Sequence, residues 1–304
     1  MKRTRMKCEE NRMTITDNND NDNQIETITS LLGNVLSKEV TPSYCADGPY
    51  VLTGYRDKLN LKDCFWSMFY WHNQTINIWS SIFLLVFNIW LTAYYTNKAG
   101  NMPTVFLIFF WTQGILRAFC WFNSWAYHTF VCNCEIVATT LCTADYIGCY
   151  LTPLGMGGNI LFIELYCHKT IQVTLLTIGF ISIMSALYVS TMPFYQTEEY
   201  RNLRITLSFF ATTPYLLGIA LALFVAHNQV PSYYQYLLYA FAFELTGGFF
   251  YASFIPEIYF PKVFDYWLSS HSIWHWLNFG FDFFMMLVSY NAFIELRNNG
   301  TCNI

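Results

Sequence analysis

Seven apolar runs, at about 76–97, 104–128, 144–167, 171–194, 203–226, 233–256 and 270–294, account for most of this chain of 304 residues. Each is long enough to cross a hydrocarbon layer of about 30 Å as a helix. A helix satisfies its backbone hydrogen bonds internally, which is the condition for leaving water. The expected fold is therefore an all-α membrane protein, a seven-transmembrane helix bundle. The third run is the weakest, because Pro153 and the Gly155, Gly157, Gly158 cluster interrupt it. Composition agrees, with 12% charged residues and 20% aromatic ones, against about 25% charged in an average soluble domain. No basic patch accompanies the net charge of -4, so membrane lipids rather than nucleic acid are the expected surroundings.

The runs also divide the chain. Residues 1–45 are polar, include Asp17-Asn18-Asn19-Asp20-Asn21-Asp22-Asn23, and offer no apolar core for a cleavable signal peptide. They are expected to form a disordered cytosolic tail. Residues 46–75 read as a cytosolic pre-membrane segment, 76–294 as the bundle and 295–304 as a short luminal or extracellular tail. Seven crossings put the termini on opposite sides, and Lys and Arg near the spans choose between them. With the N-terminus inside, the cytosolic segments hold Arg56, Lys58, Lys62, Arg201, Arg204 and Lys262, and the opposite ones Lys98, Lys169 and Arg297. That bias assigns the N-terminus to the cytosol. Several of the ten cysteines fall within spans or on the cytosolic side, so no disulfide framework is expected. Asn73-Gln74-Thr75 is a glycosylation sequon made unusable by its cytosolic placement, whereas Asn299-Gly300-Thr301 falls on the outer side.

Against this apolar background stand Ser124-x3-His128, Asp145 and His271-x3-His275. Histidine inside a membrane is expensive and calls for a partner. Spacing of i, i+4 points two imidazoles from one helix face, about 6 Å apart along the axis. The expected topology brings all five residues to the cytosolic end, Asp145 in the first turn of its span. His168 and His227 fall at the other end, and His72 precedes the first span. One such histidine is ordinarily a hydrogen-bonded packing residue; the set at one end reads as a metal site, suited to zinc, which takes neutral imidazole.

Ser-Trp-Ala-Tyr-His (124–128), Ala-Asp-Tyr-Ile-Gly (144–148) and Ser-His-Ser-Ile-Trp-His (270–275) resemble the progestin and adipoQ receptor family. So do Asn73-Gln74-Thr75-Ile76-Asn77-Ile78-Trp79 and Ile255-Pro256-Glu257. The resemblance covers roughly residues 45–295. It implies zinc near the inner face held by His128, His271 and His275, with Asp145 and Ser124 holding or activating its water. It also implies a superfamily of metal-dependent hydrolases of lipid amides, including ceramide-like ones. Asp47-Gly48-Pro49-Tyr50 followed by Gly54-Tyr55-Arg56, with Pro256-Glu257-Ile258-Tyr259-Phe260-Pro261, looks most like the Golgi-resident member that traps Raf kinase through its cytosolic N-terminal region. The resemblance therefore implies a receptor in the Golgi or plasma membrane, with a cytosolic kinase or adaptor as partner. Gln74 stands where the family has Glu, Ser81 where it has His, and Ile258 where Arg is usual.

Zinc with an open position would acidify a bound water, and Asp145 would then serve as general base beside Ser124. The remaining charges within the runs are Arg117, Glu164, Glu244 and Asp282. Arg117 lies about 16 Å along its helix from His128, too far to touch the metal, so a structural ion pair is expected. Glu164 reads as an interface residue.

Overall fold

A computed structural model of the protein describes residues 35–196, 198–225 and 230–298. The expected tail up to residue 34 and the sequon at 299–301 lie outside the described residues. Among the described residues there are eight α-helices: α1 (Leu61–Ser67), α2 (Thr75–Ala99), α3 (Thr104–Phe130), α4 (Glu135–Glu164), α5 (Lys169–Ser190), α6 (Arg201–Val225), α7 (Tyr234–Ser253) and α8 (Ser270–Asn298). Six of them, α2 to α6 and α8, are long and apolar enough to cross a membrane. The 20-residue α7 is not among the six, since four tyrosines, Gln235 and Glu244 dilute its apolar residues.

The weakest run proves to be the most enclosed helix. Two-thirds of the apolar window of α4 (67%) is buried, against 28% for α5 and for α6. A helix wrapped by protein meets little lipid, so it carries Thr, Tyr and Gly where an outer helix carries Ile and Phe. Its glycines permit close approach. A Cβ on Gly157 of α4 would stand 2.7 Å from the Tyr215 ring of α6, and one on Gly179 of α5 2.5 Å from the same ring. Three helices thus close on one fully buried tyrosine. α4 continues through Pro153 and begins at Glu135, nine residues before the expected 144. Asp145 therefore lies ten residues inside its helix, about 15 Å from the start, and not in a first turn.

Deeper in the bundle, Arg117 of α3 meets Asp282 of α8 at 2.5 Å, as the expected ion pair. Asn88 and Trp121 also donate to that carboxylate, at 2.7 and 3.1 Å, so both charges are saturated away from water. Glu164 is buried rather than interfacial, accepting from Tyr233 at 2.6 Å. Cys134 and Cys167 are disulfide-bonded, which corrects the expectation drawn from where the cysteines lie. They stand at opposite ends of a 30-residue helix, about 45 Å apart, and so are not bonded to one another.

Ahead of the bundle, Val35–Leu36 (β1) pairs antiparallel with Tyr55–Arg56 (β2). Asn60 caps α1 by accepting from the Asp63 amide at 3.0 Å. This small folded layer lies over one end of the bundle. The guanidinium of Arg56 donates to the carbonyls of His128 and Thr129 at 2.6 and 2.8 Å, ending α3.

Candidate metal centre

Two helix ends converge beneath that layer. His128 lies two residues before the end of α3, and His271 and His275 lie in the first turns of α8. Glu257 fixes the start of α8 by accepting from the Ser270 amide at 2.8 Å and from the Ser270 hydroxyl. A carboxylate there also complements the positive end of the helix dipole. The three rings stand 5.0 to 5.3 Å apart by centroid. One ligand nitrogen from each lies within 4.8 Å of the others, the only such group among the described residues.

The hydrogen bonds settle which nitrogen faces inward. His128 Nδ1 donates to Gln74 Oε1 at 2.7 Å. His271 Nδ1 stands 3.3 Å from Asp47 Oδ1, an acceptor. The Ser80 hydroxyl spends its hydrogen on the Asn77 carbonyl at 3.1 Å, so it accepts from His275 Nδ1 at 2.9 Å. A proton on each Nδ1 leaves a lone pair on each Nε2. Both His128 Nε2 and His275 Nε2 are buried with no partner. A buried acceptor without a donor is costly, and two aimed at one point fit a cation. Neutral imidazole nitrogens are donors that zinc accepts, so this set of residues fits such an ion.

Asp145 of α4 stands apart from the ligand group and faces it, its carboxyl toward the Ser124 hydroxyl and the His271 ring. Ser124 is buried, with its oxygen 3.2 Å from that of Ser81. The geometry therefore gathers all five residues singled out in the sequence, three whose ring nitrogens lie close enough to share a metal ion and two beside them. Sequence reasoning missed Asp47, Gln74 and Ser80 as partners of the ligand rings. Ser80 and Gln74 had a faint signal, as polar residues near the start of an apolar run. Asp47 stood out only as part of the Asp47-Gly48-Pro49-Tyr50 motif, with nothing to link it to a histidine 224 positions away.

Residues 69–283 match the family described as Haemolysin-III related. The chain is 30% identical over 250 residues to progestin and adipoQ receptor family member 3 of Mus musculus, covering 78% of this chain and 79% of that protein. It is 26% identical over 253 residues to progestin and adipoQ receptor-like protein 1 of Caenorhabditis elegans, covering 79% and 57%. Against the adiponectin receptor protein of Drosophila melanogaster it is 26% identical over 246 residues, covering 77% and 54%. The chain thus spans little more than half the length of the nematode and fly relatives.

Proposed function

This chain belongs to the haemolysin-III-related family, among the progestin and adipoQ receptors, and on that premise we propose that it is a seven-pass receptor carrying one zinc ion near the cytosolic face and hydrolysing a lipid amide as part of signalling. The observation that carries the reading is the convergence of three histidine ring nitrogens within 4.8 Å of one another, two of the Nε2 atoms buried without a partner, with Asp145 and Ser124 beside them. The seventh pass is supported by α7 itself: Leu238, Leu245 and Phe249, spaced seven and four apart, form an exposed apolar stripe like those of the other spans. The cytosolic N-terminus is supported by the Lys and Arg bias. Golgi and plasma membrane both suit such a chain.

Zinc held by His128, His271 and His275 would supply Lewis acidity to a carbonyl oxygen and acidify a water in the open position. The chain's own residues do the rest. Gln74, Asp47 and Ser80 keep each ligand ring in the tautomer that presents Nε2. Ser124 holds the water by its hydroxyl. Asp145 takes the water proton and returns it to the leaving amine nitrogen of a ceramide-like substrate.

A second reading is a non-catalytic scaffold that tethers a cytosolic kinase such as Raf through the N-terminal region, the metal serving only to clamp α3 to α8. It is favoured by the aromatic surface of Phe65, Trp66, Phe69 and Trp71, which lies exposed on the pre-membrane layer. One preparation separates the two. Asp145→Asn is expected to retain about one zinc per chain while losing lipid-amide turnover by about 10²–10⁴-fold, and His275→Ala to lose the zinc. Unchanged turnover in Asp145→Asn removes the catalytic role; zinc retained in full by His275→Ala removes the site.

A further inference from the structure

We propose that residues 47–56 are a docked cover that completes the metal centre, with Asp47 as the positioning residue for His271, so that metal binding and docking of this segment are one coupled equilibrium. The inference rests on the metal reading above and adds what governs loading.

A single carboxylate reaches two ligand rings. Asp47 Oδ1 stands 3.3 Å from His271 Nδ1, and Asp47 Oδ2 accepts from Gln74 Nε2 at 2.9 Å. The other end of that amide accepts from His128 Nδ1. Asp47 belongs to no helix, so its position depends on the segment around it. The Asp47 amide donates to the Tyr55 hydroxyl at 3.1 Å, which in turn donates to the Val51 carbonyl at 2.9 Å. The Leu52 amide, the Thr53 amide and the Thr53 hydroxyl all donate to Asp265 Oδ2, at 3.0, 2.7 and 2.7 Å. Asp265 is buried and sits in the loop leading to α8, the helix that carries two of the ligands. Gly54 presses against the Tyr266 ring and the Asn73 amide at φ +82, a conformation and a closeness that a side chain would oppose. Arg56 then grips the carbonyl of His128 itself.

Undocking would therefore remove the acceptor of His271, the anchor of Gln74 and the cap of α3 together. Loss of a partner that orients a metal ligand typically weakens metal binding about 10- to 100-fold. By linkage, the factor by which docking strengthens metal binding is the factor by which metal strengthens docking.

The test uses the full chain in nanodiscs. Zinc affinity is measured by chelator competition for wild type, Asp47→Ala, Asp265→Ala and Thr53→Val. Amide exchange of residues 47–56 is followed before and after metal is stripped. Asp47→Ala should bind zinc about 10- to 100-fold more weakly. Asp265→Ala, whose carboxylate bonds Leu52 and Thr53 rather than a histidine ring, should shift the same way, and stripping wild type should speed exchange at Leu52 and Thr53. Thr53→Val removes one latch bond and serves if Asp265→Ala does not fold. Zinc affinity within twofold of wild type in the folded variants, or exchange indifferent to metal, overturns the coupling. If wild type holds zinc that His275→Ala loses, that result leaves the metal reading standing and the coupling alone fails. A wild type without zinc overturns both.

Discussion

His72 illustrates how much a single side chain's surroundings decide. It is 1% exposed, donates from Nε2 to the Ser67 carbonyl at 3.1 Å, and accepts at Nδ1 from the Gln74 amide at 3.1 Å. Both ring nitrogens are satisfied only in the neutral form. Burial, with the Arg56 charge adding to it, pushes its pKa well below the ordinary 6.5. The unfolded chain therefore binds a proton below pH 6.5 that the folded chain does not. Stability is full above that value and declines beneath it, by up to about 1.4 kcal/mol per pH unit. His72→Asn should flatten the fall of melting temperature between pH 7 and pH 5 relative to wild type; parallel curves would show that His72 is not the source. The sequence singled out the five site residues because polar groups inside apolar runs are conspicuous. It could not reveal Arg56 as a helix cap or Asp47 as a ring partner, because both lie in a polar segment where any charge is unremarkable. The spacing along α3 kept Arg117 from the metal but could not choose Asp282, 165 positions away, as its partner.

Among the elements, α4 shows where hydropathy misleads. Scales of apolarity respond to lipid contact, and this helix is covered by its neighbours, so its boundary at Glu135 and its central place were hidden behind Thr, Tyr and Gly. The glycines that weakened its signal are what let α5 and α6 close on Tyr215. Gly179→Ala is expected to cost about 1–3 kcal/mol through overpacking, whereas Gly248→Ala on α7, whose Cβ would meet nothing within 4 Å, should be neutral or slightly stabilising. Thermal melts of the two variants decide this; equal midpoints would mean that the Tyr215 contact yields freely. The outer helices were readable because Phe180, Ile181 and Tyr188 of α5, and their counterparts elsewhere, face outward as an apolar period demands.

For the molecule as a whole, sidedness is the property on which the site's biology turns. In sealed vesicles with their cytosolic face outward, added protease should remove an N-terminal tag and spare a C-terminal one; the reverse pattern would invert the topology. The composition of α7 has a further consequence, for how the chain is made. Glu244 faces the Arg117–Asp282 pair, Phe243 packs on Gly280, and Gly247 lies against Trp274. The charges facing Glu244 are supplied by α3 and α8, and α8 leaves the ribosome later. A carboxyl inside lipid without such neighbours is costly. A nascent chain halted after residue 253 should therefore leave α7 extractable from the membrane by alkaline wash once a protease has cut it from α6, and chains extended through α8 should not. Insertion of the last two helices would then be a paired event, completed only when α8 arrives, and quality control in the cell would meet the unpaired α7 first.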